Sequence, residues 1–159
     1  MVRGQEEISY STTRASQGPE GRDARVNNMH VEFPYRKEKS LTFGTIFRPV
    51  AKTILENEFD QWLYVDSGAD ITLLPLSLGD LIGLRRMKQD KVQRVMGVGK
   101  SSVPIIVKPV SMRIGSVGFH ARVAWSQVED VPPLLGRMDV FRRFSVTFRE
   151  KDRVTIFAA

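Results

Sequence analysis

The chain of 159 residues has no cysteine. That excludes a disulfide framework, a thiol nucleophile and any zinc or iron–sulfur site built on cysteine. It has only two histidines, His30 and His120, too far apart to make a spaced metal pair such as H-E-x-x-H. No segment approaches the roughly 18 consecutive apolar residues of a membrane-spanning helix, so no membrane partner is expected. Residues Met1 to Asn28 lack the apolar stretch of a secretory leader, and the expected compartment is cytoplasmic. The chemistry left open is that of carboxylates, of Ser/Lys, or none.

Hydrophobic residues make up 42% and charged residues 26% of the chain, which fits a single globular domain. Residues 1–28 are rich in Ser, Thr, Gly, Gln, Arg and Glu. A segment of that composition buries too little apolar surface to offset its ordering entropy, so a disordered tail is expected there, with one domain over 29–159. The net charge is +6, of which +1 falls in residues 1–40 and +5 in residues 41–159. The basic excess therefore belongs to the folded part. Its densest cluster, Arg85, Arg86, Lys88, Lys91 and Arg94, has no interleaved aromatics. It reads as solvated surface, and no nucleic-acid partner is expected.

From Leu41 onward the pattern is one of short strands: Leu41–Phe47, Val50–Leu55, Trp62–Val65 and Ile71–Leu74. A polar turn over Glu56–Asp60 separates the second and third. The β-branched runs Val103–Ile114 and Val117–Val128 meet at Gly115-Ser116, a hairpin signal. Ser145–Phe148 and Val154–Phe157 follow around a charged turn. Ser77–Leu84 reads as a short helix with Leu78, Leu81 and Ile82 on one face and Gly83 at its end. A second brief helix is expected over Met138–Phe144. Many short strands and one or two short helices predict a mainly β domain with a closed or sandwiched sheet.

One carboxylate stands apart. Asp66-Ser67-Gly68-Ala69-Asp70 lies between the apolar runs Trp62–Val65 and Ile71–Leu74. An acid between two buried strands is costly unless it is paired or hydrogen-bonded. Gly68 allows a tight turn that brings amide N–H groups near the carboxylate, and Ser67 adds a short hydroxyl. Asp-Ser-Gly is also a common turn tripeptide, but its apolar flanks are not those of a surface loop.

Val65-Asp66-Ser67-Gly68-Ala69-Asp70 resembles the active-site loop of the retropepsin-like aspartic proteases. Leu134-Leu135-Gly136-Arg137, followed by Met138-Asp139-Val140-Phe141, is similar to that family's second signature, and Gly136 lies 70 positions after Asp66. The resemblance extends from about Arg48 to Phe157. It implies a closed β-barrel forming half of a two-fold dimer, with Asp66 as the catalytic acid. Such chemistry needs two carboxylates sharing one proton, and this chain has a single Asp-Ser/Thr-Gly. The second acid then comes from another copy, so the partners implied are a homodimeric mate and a peptide or protein substrate. No metal or organic cofactor is implied.

The resemblance further implies that Ser67 and Gly68 scaffold the acid and that Asp70 pairs with Arg137. It implies too that the hairpin tip Gly97, Val98 and Gly99 is a flap over the peptide, and Val154–Phe157 is the candidate strand for joining two copies. Ala69 stands where pepsin-like enzymes carry a hydroxyl residue. Without that donor the paired anions are less stabilised, which favours work at weakly acidic to neutral pH. Gly99-Lys100-Ser101 imitates the end of a phosphate-binding loop, but position 94 is Arg and a strand follows instead of a helix. The function expected is a dimeric aspartic endopeptidase. The alternative from another class is a catalytically silent module used for dimerisation or peptide binding, since a fold can persist without turnover.

Overall fold

The computed structural model describes residues 29–97 and 102–159; the tail 1–28 and the tip residues Val98 and Gly99 lie outside them. Twelve strands and one helix are found among the described residues. They are β1 (His30–Pro34), β2 (Arg36–Ser40), β3 (Gly44–Arg48), β4 (Val50–Leu55), β5 (Phe59–Val65), β6 (Thr72–Leu74), α1 (Leu76–Leu81), β7 (Gln93–Met96), β8 (Ser102–Ile114), β9 (Val117–Ser126), β10 (Leu134–Leu135), β11 (Ser145–Arg149) and β12 (Val154–Ala158).

The main sheet runs β4-β5-β10-β6-β9-β8-β7, and β4 pairs again with β8. That second pairing places Ile54 opposite Arg113 and Leu55 opposite Met112. Six strands thus close into the expected β-barrel, with β7 added outside β8. Closure removes exposed sheet edges, and the interior fills with Leu55, Leu63, Val110, Met112, Ile114, Val123 and Leu135. The β8–β9 hairpin turns at Gly115-Ser116, with Ile114 opposite Val117 and Gly115 at φ +55°.

A separate three-stranded sheet, β1-β12-β11, packs against the barrel. Edge-to-face aromatic contacts run from Phe33 to Phe157, Phe157 to Phe144 and Phe144 to Phe119, with centroids 5.6–5.9 Å apart. β12 is its middle strand: it pairs antiparallel with β1 on one side and β11 on the other. This corrects the expectation that Val154–Phe157 offers a strand to a second copy, because both of its hydrogen-bonding edges are satisfied within the chain.

Two further expectations change. Leu41–Thr42–Phe43 is a turn, not the start of a strand. Ser40 Oγ accepts the Thr42 and Phe43 N–H groups at 3.3 and 3.2 Å, and Gly44 at φ +70° redirects the chain into β3. The helix expected over Met138–Phe144 is a series of turns. Phe141 N–H donates to Arg137 O at 3.0 Å, but Asp139 lies at φ +63°, where a right-handed helix cannot continue. The first helix forms as expected. Gly79 lets it pack on Trp125, whose Nε1 donates to Leu76 O at 3.1 Å; a Cβ on Gly79 would come within 2.1 Å of that nitrogen.

Candidate active site

Strand alternation sets the site. Leu63 and Val65 of β5 point into the core, so Tyr64 and the following Asp66 share the opposite face. Asp66 N–H donates to Leu135 O at 3.1 Å, and Ala69 N–H donates back to Asp66 O at 3.2 Å. The Gly68 N–H donates to Asp66 Oδ1 at 2.9 Å. A Cβ on Gly68 would sit only 3.3 Å from that oxygen. The loop is thus a carboxylate turn whose own backbone amide orients the acid. Asp66 remains half-buried, and Ser67 and Gly68 are exposed.

The second motif lies directly beneath the loop. Arg137 N–H donates to Ala69 O at 2.9 Å and Met138 N–H to Asp70 O at 2.8 Å. Gly136 N–H donates to the buried Thr72 Oγ1 at 3.1 Å. A Cβ on Gly136 would fall 2.3 Å from Ile71 C and 2.4 Å from Ile71 O. Only glycine fits between these main chains, so the spacing of the two motifs records a close backbone crossing. These bonds join the main chains around Asp70 and Arg137, yet the two side chains form no ion pair. The expected link is made by main-chain hydrogen bonds instead. The charged brace falls on the next acid: Asp139 Oδ2 accepts Arg122 Nε at 2.8 Å and Oδ1 accepts Arg122 Nη2 at 3.1 Å. These bonds hold the Asp139 carboxyl down at about 2.

Asp66 lines a cavity of about 460 Å³ together with Tyr64, Val65, Arg48, Pro49, Glu38, Pro132 and Leu134. Tyr64 OH donates to Glu38 Oε1 at 2.5 Å, and Arg48 Nε lies 3.1 Å from Glu38 Oε2. Burial first, and then the Glu38 carboxylate, raise the Tyr64 hydroxyl above its ordinary value. Tyr64 was not singled out in the sequence, although alternation along β5 places it on the face of Asp66. Glu38 was not, because nothing in residues 36–40 signals that they fold over this cavity.

A second apolar cluster extends from the cavity. Leu73, Ile105 and Ala124 pack with Ile71, Val95, Val103, Val131 and Leu134. Above it β7 and β8 run antiparallel, with Met96 opposite Ser102. Gly97 follows β7 and is exposed. Among the described residues no group of three or more His, Asp or Glu could hold a metal ion, and no helix is long and apolar enough to cross a membrane.

No protein-family model and no curated protein matches the chain. Solved structures do. A retropepsin-like aspartic protease from Rickettsia conorii superposes with a TM-score of 0.58 at 17% identity, over 80% of this chain and 98% of that one. EIAV protease, solved in complex with the inhibitor HBY-793, superposes with a TM-score of 0.50 at 22% identity, over 60% of this chain and 86% of that one. The fold is retropepsin-like. At these identities the likeness is one of architecture, and it agrees with the resemblance carried by Asp66-Ser67-Gly68 and Leu134-Leu135-Gly136.

Proposed function

We propose that the protein is an aspartic endopeptidase whose catalytic centre is completed by a second copy of the chain. The observation that carries this is Asp66 itself: a carboxylate oriented by the Gly68 N–H at 2.9 Å, half-exposed at the mouth of a cavity, in a chain with one Asp-Ser/Thr-Gly. With Asp66 from each copy facing across a two-fold axis, like charges at close range allow the pair to share one proton. The unprotonated carboxylate takes a proton from water as the water oxygen attacks the peptide carbonyl carbon. The protonated one donates its proton to the carbonyl oxygen, giving a neutral diol and leaving the pair with the single proton taken from water. That proton passes to the nitrogen as the C–N bond breaks, and a diol hydroxyl gives its proton back to the pair, leaving a carboxylic acid, an amine and the pair sharing one proton again.

In this reading Ser67 and Gly68 shape the loop, with Ala69, Asp70 and Arg137 forming its supports. The flap expected at Gly97, Val98 and Gly99 belongs to the same reading; of these Gly97 follows β7, and Val98 and Gly99 lie outside the described residues. The apolar wall of Ile71, Val103, Val131 and Leu134 receives substrate side chains. The test is cleavage of an unfolded generic protein. The wild-type chain cleaves it and pepstatin blocks the reaction, whereas Asp66→Asn loses at least about a hundredfold in turnover with its oligomeric state unchanged. Undiminished cleavage by D66N removes the assignment.

A further inference from the structure

We propose that the β2–β3 ribbon is the arm by which a second copy of this chain docks. The inference rests on reading Asp66 as half of a shared centre. Three observations lead to it. The strand expected to join two copies, β12, has both edges occupied within the chain. The β1-β12-β11 sheet packs on the core through Phe33 and Phe157, whereas the β2–β3 ribbon pairs only with itself, and a lone two-stranded ribbon is marginal in water unless it packs on something. Its turn carries Leu41 at 109% and Phe43 at 79% exposure.

Its position selects the occupant. Glu38, in the middle of β2, lines the same cavity as Asp66. The ribbon therefore rises from the rim of the site, and the copy that brings the second Asp66 must approach that same rim. Ser40 Oγ ties down the Thr42 and Phe43 amides, so the two apolar side chains are presented on a shaped turn. Arg153 lies 3.6 Å over the Phe47 ring and Glu38 bridges Tyr64 and Arg48, fixing the base. A two-fold contact uses each patch twice. Each tip then both reaches onto the partner and is matched by the partner's tip, and two copies together cover two Leu41 and two Phe43 side chains.

The test is sedimentation of the full chain over a range of concentrations, wild type against the double variant Leu41→Ser/Phe43→Ser. A wholly exposed tip should leave the thermal melt of the monomer unchanged. Expected is a wild-type dimer and a variant whose dimer dissociation constant rises at least about a thousandfold. Its cleavage per chain falls at low concentration and recovers at high concentration. A photo-crosslinking residue at position 43 should also yield a covalent dimer.

A variant that dimerises as tightly as wild type overturns the arm and leaves the endopeptidase assignment standing. The arm is overturned in the same way if that variant stays dimeric while losing adhesion to anionic vesicles. A wild type that dimerises through the tip but cleaves nothing keeps the arm and removes the endopeptidase. A wild type monomeric at every concentration and inactive removes both.

Discussion

The Asp66–Asp70 loop and the β2–β3 ribbon border one cavity but are held in different proportions by main-chain and side-chain contacts. The loop over residues 66–70 is fixed by main-chain hydrogen bonds to Leu135 and from Arg137 and Met138, and by a glycine contact with no spare volume at Gly136. The ribbon has one main-chain bond at its base, from Tyr35 N–H to Arg153 O at 2.8 Å, and otherwise meets the rest of the chain through side chains, Glu38 with Tyr64 and Arg153 over Phe47; Glu38 also pairs with Arg48 inside the ribbon. Main-chain bonds keep their geometry across pH and salt because neither partner titrates. Charged contacts at a rim weaken under screening and can rearrange when a partner arrives. The difference predicts a firmly placed Asp66 beside a ribbon whose contacts respond to salt.

The comparison breaks most sharply at Gly136. A methyl group there collides with the Ile71 main chain, and Gly136→Ala should destabilise the fold by about 3 kcal/mol or more, as read by chemical denaturation. A melt within about 0.5 kcal/mol of wild type would show that the crossing is not tight.

A smaller effect is expected at the charged brace behind the loop. Asp139→Asn keeps a residue that tolerates positive φ but loses the paired charge with Arg122, costing about 1–2 kcal/mol at neutral pH. The Arg122 side chain is more than half exposed, which favours the lower figure. The wild-type Asp139 carboxyl is depressed to about 2 from an ordinary 3.8. Its contribution is therefore complete above about pH 4 and fades as pH falls toward 2. The melting curves of wild type and variant should converge over that window, and a constant gap down to pH 2 would show that the charge is not the cause.

The smallest effect falls on the ribbon. Arg48 is 54% exposed, so Glu38→Gln should cost less than about 1 kcal/mol while speeding hydrogen exchange in residues 36–48. High salt should produce the same acceleration in the wild type and add little to the variant.

Much of the barrel was legible because its strands are apolar runs between turn residues. Val50–Leu55 forms at the boundaries expected, and the β8–β9 hairpin turns where Gly115 permits. The strands missed were β1, β2 and β10, while β7 is the first arm of the hairpin expected to reach its tip at Gly97. β2, Arg-Lys-Glu-Lys-Ser, has no apolar alternation at all; it is a strand because β3 pairs with it, with Glu38 opposite Ile46. β10 is two residues long, and it exists because Leu134 and Leu135 lie between β5 and β6. Asp66 was visible from its flanks, as was the Leu134-Leu135-Gly136 motif. The substitute for the Asp70–Arg137 pair was not, because hydrogen bonds between main chains leave no mark in side-chain identity.

By itself the sequence determined a cysteine-free, mainly β domain and the single Asp-Ser-Gly between apolar runs, because hydrophobic periodicity and glycine placement are local properties. Tertiary structure alone decided that β12 is enclosed by β1 and β11, that Glu38 reaches Asp66's cavity, and that Leu41 and Phe43 are left in solvent. These depend on which distant strands find one another, and pairing partners are chosen by packing over the whole chain.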